Sequence, residues 1–211
     1  MSNERRIVRD GYDMIAEAYA NSRDTSEEAF LGLEDELDRA ALILDAGCGA
    51  GVPVTQELTD HGSVVGLDLS REQLQLARKN VPTVATLQGD ITSLPFRRNT
   101  FDAVVSFHAV IHLPLDDHID TFAEFARVLR PGGWALLTTG VGAWTGTNSD
   151  WLDTGTTMRW SFPDRETTID WLVDVGFVVE RTEVLADGLG PGEWLYLLGR
   201  WNDEGSDSIL V

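Results

Sequence analysis

The chain holds a single cysteine, Cys48, and a single lysine, Lys79. One cysteine cannot close an internal disulfide, and the sequence has no Cys or Cys/His cluster at zinc spacing, so neither a disulfide scaffold nor a metal site is expected. Such cysteine usage agrees with a reducing, cytoplasmic setting. No run approaches the roughly 20 apolar residues that cross a bilayer, so membrane insertion is not expected. The opening stretch MSNERRIVRDGYDMIAEAYANSRD is charged throughout and has no apolar h-region, which argues against a signal peptide. Positive charge is scarce: 16 Lys and Arg face 35 Asp and Glu, a net charge of −19. Such a surface repels phosphate backbones and anionic lipid, so nucleic acid and membrane surfaces are disfavoured as partners. Scarce lysine with an acidic surface is the composition of salt-loving archaea, where charge serves solubility; a high-GC genome gives the same pattern in an ordinary acidic protein.

What is present is a core. A length of 211 residues, 43% of them hydrophobic, supports one domain spanning 1–211. Residues 4–22 carry apolar or aromatic side chains at a helical rhythm, and 25–40 reads as a second helix with Thr25 or Ser26 as N-cap and Glu28 in a capping box. Together they would form an N-terminal helical cap over 1–40. ALILD then reads as a strand buried on both faces, because it shows no polar alternation. From there strand and helix alternate five times, through VPVTQELTDHG, SVVGLDLS, REQLQLARKN, TVATLQGD, FDAVVSFHAV, LDDHIDTFAEFARVLRPGG and WALLTTG. The segment 140–162, rich in Gly, Thr, Ser and Trp, breaks this rhythm and reads as a lid or substrate loop. PDRETTIDWLVDVG restores a helix, and FVVERTEVL and EWLYLLGRW form a closing antiparallel hairpin; 203–211 reads as a frayed tail. The fold class is α/β: a doubly wound, seven-stranded, mostly parallel sheet with an antiparallel last strand and helices on both faces.

In such a fold the ligand lies beyond the carboxyl ends of the strands. The first strand leads into Asp45-Ala-Gly47-Cys-Gly49-Ala-Gly51. Glycine there removes the Cβ that would collide with a closely approaching ligand. The spacing differs from the dinucleotide G-x-G-x-x-G, which weighs against a NAD-type oxidoreductase. The second strand ends at Asp68, placed to take two ribose hydroxyls on one carboxylate, and the third at Asp90, placed to accept from an adenine amino group. Each has a plainer reading, Asp68 as a helix cap and Asp90 as a turn residue. Cys48 reads as a small packing residue.

LILDAGCGAG, VVGLDLS, LQGDITSLPF, FDAVVSFHAVIHL and FARVLRPGGW, in this order, resemble the class I, Rossmann-like, S-adenosylmethionine-dependent methyltransferases over about residues 10–140. DGYDMIAEAYANSR and WSFPDRETTIDWLVDVGF look like the small-molecule branch, near the methyltransferases of ubiquinone and menaquinone synthesis. The resemblance implies a cofactor, S-adenosylmethionine, that leaves as S-adenosylhomocysteine. It places Gly47, Gly49 and Gly51 at the methionine part, with Asp45 anchoring the loop. It puts Asp68 on the ribose, Leu69 and Ile91 about the adenine, and Asp90 on its amino group. Phe107, or the backbone of Ser106, would lie by the sulfonium. Tyr12, Tyr19 and Arg23 would close the site, although the two tyrosines can equally be packing residues and Arg23 a surface residue.

Methyl transfer needs a base only where the nucleophile carries a proton to lose. His112, and behind it His108, are the candidate catalytic residues; the competing reading is a structural histidine inside the loop. Both lie near His118, Asp116 and Asp117, but no metal-binding motif repeats there. Trp144, Trp151 and Trp160 either wall a flat or apolar acceptor or pack their loop onto the sheet. Phe162 stands where related chains carry a histidine, so no polar contact is expected from it. The expected partner is a small-molecule methyl acceptor, on a monomer or homodimer. A cofactor-binding regulatory protein without turnover is the alternative from another class.

Overall fold

A run of aliphatics can be a strand only if both of its faces find a core, and β1 (Ala41–Ala46) does. Ile43 and Leu44, adjacent in sequence, are both fully buried and belong to the apolar clusters on opposite sides of the sheet. The computed structural model describes residues 2–22, 30–187 and 192–202. Parallel partners flank β1: β2 (Gly62–Asp68) pairs Gly62 with Ala41, and β4 (Phe101–Ser106) pairs Ala103 with Ile43. Outside these lie β3 (Ala85–Gln88), parallel to β2, and β5 (Leu129–Gly140), parallel to β4. β8 (Phe177–Ala186) and β9 (Glu193–Trp201) complete a seven-stranded sheet of order β3-β2-β1-β4-β5-β9-β8. The last strand in sequence, β9, is antiparallel to both neighbours and sits second from the edge. The order reverses between β1 and β4, which opens a crevice at their carboxyl ends.

The helices follow their sequence signals. α1 (Asn3–Ser22) matches the expected span. α3 (Val54–Leu58) opens at Pro53, and α4 (Arg71–Asn80) is capped by Ser70, whose hydroxyl accepts from Gln73 N at 3.1 Å. α5 (His118–Val128) buries Phe122 and Phe125 completely. It ends earlier than expected, because Leu129 already starts β5 and Pro131-Gly132-Gly133 lies within that strand's register shift. α6 (Arg165–Val175) is bounded by Asp164, which accepts from Thr167 N at 2.8 Å, and by Gly176 at φ 106°.

Two expectations need correction. The helix expected over 25–40 survives only as one turn, α2 (Leu33–Glu36), among the described residues. Leu31 and Gly32 in front of it adopt left-handed φ and Leu37 behind it is extended, so the backbone cannot continue the helix. Residues 23–29, with the expected caps Thr25 and Ser26 and the candidate Arg23, lie outside the described residues, as does the 203–211 tail.

The second concerns the irregular loop expected over 140–162: residues 144–162 form a hairpin of β6 (Trp144–Trp151) and β7 (Thr156–Phe162), paired from Trp144↔Phe162 to Trp151↔Thr156 with a register shift between Asn148 and Trp151. Asp150 closes its turn by accepting from Gly155 N at 2.6 Å. The hairpin is held from below by two histidines. The carbonyls of Arg159 and Ser161 lie 2.6 Å from His112 Nδ1 and 3.0 Å from His118 Nε2. A carbonyl only accepts, so each of those ring nitrogens carries the proton. From above, β7 packs against α1, where a Cβ on Gly11 would stand 3.0 Å from Met158 and 3.1 Å from the Thr157 carbonyl.

Candidate functional site

The carboxyl ends of β1, β2, β3 and β4 share one cavity, and one face of α1 closes it through Arg5, Val8, Arg9, Tyr12 and Tyr19. The strap is tied down along its length. Asp13 accepts from Ser70 Oγ at 2.6 Å and from Glu72 N at 3.2 Å, which joins α1 to the start of α4. Arg5 pairs with Asp90 at 2.7 Å, and Glu4 with Arg159 at 2.8 Å.

The glycine loop lies on the cavity floor. Gly47 (φ 97°) and Gly49 (φ 51°) line the cavity and are left-handed. They are glycine for different reasons. A Cβ on Gly47 would overlap the Ala109 Cβ, so the fold itself forbids it. A Cβ on Gly49 would meet nothing nearer than Gln73 Oε1 at 3.8 Å, so that space is left to a ligand. Gly51 serves packing: its missing Cβ would lie 3.3 Å from Ala77 and Val81, and it does not line the cavity. Replacing Gly47 by alanine should cost about 2–3 kcal/mol, from roughly 1–2 kcal/mol of left-handed strain plus the overlap with Ala109. A lowered denaturant midpoint measures this, and an unchanged midpoint would show that the loop can shift freely.

Two carboxylates sit at the heart of the site. Asp45 is 1% exposed and accepts from Thr55 Oγ1 at 2.6 Å. Burial pushes its pKa up to about 7, against the pull of the Thr55 bond and with a further push from Asp68. Asp68 takes Gly49 N on one oxygen and Ser70 N on the other, both at 2.8 Å. Burial raises Asp68 to about 6, although those backbone donors pull it down. The helix cap is supplied by Ser70, as noted above, so the capping reading of Asp68 does not account for it. Leu69 and Ile91 line the cavity at the next two strand ends. Asp90 lines it too, with Oδ1 accepting from Thr92 and Oδ2 paired with Arg5.

Phe107, His108 and His112 line the far end. His108 is left-handed (φ 53°), with its ring 5.3 Å from Trp194 between centroids. His112 is 6% exposed, and burial lowers its pKa to about 4, so the ring is neutral at physiological pH. With its proton on Nδ1, toward Arg159, Nε2 must accept, and Tyr12 Oη donates to it at 2.8 Å. Tyr12 therefore belongs to the His112 end of the cavity. Tyr12, Tyr19, Trp151 and Trp160 pack among themselves at 5.1–5.6 Å between centroids, which favours packing over an open wall for the two tryptophans. Trp144 is exposed, and Phe162 is buried over Gly140.

One residue had no sequence signal as a site residue. Gln73, in the first turn of α4, lines the cavity while 1% exposed, and neither amide atom has a hydrogen-bond partner among the described residues. Its place one turn beyond the Asp68 end of β2 was the only available hint. No described helix is long and apolar enough to cross a membrane.

The family described as "Methyltransferase domain" matches residues 44–137, the stretch from β1 into β5. Sterol 24-C-methyltransferase of Pneumocystis carinii is 33% identical over 123 residues, covering 52% of this chain and 32% of that protein. The tRNA (carboxymethyluridine(34)-5-O)-methyltransferase alkbh8 of Xenopus tropicalis is 31% identical over 137 residues, 64% of this chain and 21% of that protein. The chain thus spans a third or less of the length of these two relatives. A SAM-dependent methyltransferase from Methanosarcina mazei has the same fold, with a TM-score of 0.73 at 18% identity over 83% of this chain and 99% of that one. Cavity, strand order and matched segment coincide on the same strand ends: residues 44–137 are similar to the methyltransferase domain family, and the chain has the Rossmann-like methyltransferase fold.

Proposed function

We propose that the protein transfers a methyl group from S-adenosylmethionine to a small-molecule acceptor. The observation that carries this is a single cavity joining the space above Gly49, the Asp68 carboxylate and the Tyr12–His112 pair. The residues fit the cofactor: Gly49 leaves room where a Cβ would stand, Asp68 faces the same space, and Leu69 and Ile91 offer apolar surface beside Asp90. Gly47 and Gly49 would then lie along the methionine part, Asp68 on the ribose and Asp90 near the adenine, where Arg5 already occupies one of its oxygens. Gly51 supports this only indirectly, by letting α4 approach the loop. When bound, S-adenosylmethionine supplies a methyl group activated for in-line displacement.

The chain's own part is positioning, exclusion of water and, for an acceptor with a proton to lose, its removal. On this reading that proton passes through Tyr12, whose hydroxyl already bonds His112 Nε2. Oη receives the acceptor's proton while passing its own to His112 Nε2, and Nδ1 stays bonded to the Arg159 carbonyl. Tyr12→Phe should lower kcat by about 10- to 100-fold for alcohol or phenol acceptors while leaving S-adenosylhomocysteine affinity within about threefold. An equal loss in both would assign Tyr12 to cofactor binding instead.

A small acceptor is favoured over RNA by the net charge of −19, although one relative acts on tRNA. The test is transfer of labelled methyl to a panel of phenols, amines and carboxylic acids, with bulk tRNA alongside. Label in tRNA alone overturns the small-molecule reading. Binding of NAD without S-adenosylmethionine or its product overturns the cofactor assignment. Tight cofactor binding with no turnover on any acceptor points to the regulatory alternative.

A further inference from the structure

A backbone carbonyl fixes the direction of every hydrogen bond at the His112 end of the cavity. The Arg159 carbonyl can only accept, so the one proton of the neutral His112 ring sits on Nδ1, 2.6 Å away. Nε2 is then purely an acceptor, and the Tyr12 hydroxyl gives its only proton to it at 2.8 Å. Whatever else meets Tyr12 Oη must therefore be a donor. Both residues line the cavity, so a relay anchored on β7 ends there as an acceptor. A carboxylate, a ketone or an ether has no hydrogen to offer it.

The cavity also lacks a counter-charge for an anionic acceptor. The lining residues that the cofactor reading leaves over are mainly apolar or aromatic, such as Val8, Tyr19, Val54, Phe107 and Leu113. Among the described residues the cations that reach the cavity are Arg5 and Arg9, bound to Asp90 at 2.7 Å and to Asp10 at 2.6 Å. Arg9 lies one helical turn from Arg5 and one from Asp13, the residues that tie α1 to Asp90 and to Ser70. That stripe of α1 therefore runs along the cofactor side. The His112 ring, neutral at physiological pH, adds no positive charge at the other end. A carboxylate or phosphate entering there would give up its water for no cation, in a protein of net charge −19.

We infer that the acceptor is an uncharged, largely apolar alcohol or phenol, which Tyr12 Oη recognises as a hydrogen-bond donor. This rests on the S-adenosylmethionine reading of the cavity and names the acceptor class within it. An amine attacks through its own lone pair, so the Tyr12–His112 relay favours oxygen, whose attack gains from losing its proton. The transfer balances with no further reactant. The O–CH3 bond forms as the S–CH3 bond breaks and leaves its electron pair on sulfur; the hydroxyl proton moves to Tyr12 Oη while Tyr12's own moves to His112 Nε2. Once His112 has returned that proton to solvent, Tyr12 again donates to it, and the ether has no hydrogen to offer Oη. The group that holds the substrate thus lets the product go. A site built to bond a hydroxyl discriminates against the analogue lacking it, because its own polar group is then left unpaired.

The test is titration calorimetry at pH 8 on protein saturated with S-adenosylhomocysteine. One probe series is 2-naphthol, 2-methoxynaphthalene and 2-naphthoate; the other is p-cresol, 4-methylanisole and p-toluate. Within each series only one group changes, from hydroxyl to methyl ether to carboxylate. At least one hydroxyl probe should bind about 10-fold or more tightly than its own ether and carboxylate. In Tyr12→Phe that preference should fall below about threefold, with S-adenosylhomocysteine affinity kept within about threefold of wild type. Four results overturn the inference: an ether or carboxylate that binds as tightly as its hydroxyl partner in both series, no binding by either hydroxyl probe, a preference that survives in Tyr12→Phe, or S-adenosylhomocysteine binding lost together with the preference in that variant. The wild-type series decides the matter even where the variant does not fold. Wild-type protein that does not bind S-adenosylhomocysteine overturns the cofactor reading itself, whereas tight binding of it alongside any of the four results removes the acceptor class alone.

Discussion

Replacing Asp68 by alanine should weaken S-adenosylhomocysteine binding by about 100- to 1,000-fold. Two hydroxyls on one carboxylate are charge-assisted hydrogen bonds, each of order 1.5–3 kcal/mol, and about 1.4 kcal/mol is a factor of ten. The carboxylate also holds the glycine loop, since Gly49 N and Ser70 N both donate to it. On the proposed reading alanine removes the ribose contact, and it also loosens the glycine loop by removing the acceptor of Gly49 N. Circular dichroism melts of the same variant separate binding loss from unfolding. Affinity in wild type should also follow the charge on this group. Burial raises its pKa to about 6, so at pH 5 only about a tenth of Asp68 is ionised, and affinity should fall about tenfold between pH 8 and pH 5. Undiminished binding by Asp68→Ala would remove Asp68 from the site.

The parts of this site that were legible from sequence share a physical origin. A parallel strand ends where its crossover helix begins, so the residues at strand ends are fixed by local pattern alone. Asp45, Gly47, Gly49, Asp68, Leu69, Asp90, Ile91 and Phe107 all reach the cavity for that reason. Gly51 carried the same pattern but answers to α4, a distinction that only the approach of Ala77 and Val81 reveals. What no pattern encodes is how elements distant in the chain meet. Asp13 on Ser70, Arg5 on Asp90 and Tyr12 on His112 join residues 57 to 100 positions apart. The hairpin of β6 and β7 was missed for a related reason. Its Gly, Thr and Ser content reads as loop, and the strand pairing is stabilised by α1 and by the two histidines beneath β7. Gln73 gave no signal because a glutamine in an amphipathic helix normally faces water, whereas here it is buried beside the cavity with no hydrogen-bond partner for its amide among the described residues.

Replacing Asp45 by asparagine should flatten the pH dependence of folding. The buried carboxyl keeps its proton up to about pH 7 in the fold but only to its ordinary value of 3.8 when exposed. Between those values the folded state binds more protons than the unfolded chain, so raising the pH weakens the fold. A shift of about three units corresponds to about 4 kcal/mol, lost progressively from pH 4 to pH 7. His112 works in the opposite direction. Its lowered value of about 4 makes the unfolded chain the more protonated state between pH 4 and 6.5, so raising the pH there strengthens the fold by about 3 kcal/mol. The two slopes oppose each other below pH 6.5, and wild-type stability alone would hide both. The variant resolves them, because the asparagine amide keeps an oxygen for the Thr55 hydroxyl and leaves His112 untouched. Relative to wild type, Asp45→Asn should gain about 4 kcal/mol in urea unfolding free energy between pH 4 and pH 8. Parallel pH profiles for the two proteins would mean that Asp45 is ionised in the fold throughout this range. Its bond to Thr55 would then be that of a fully charged buried carboxylate.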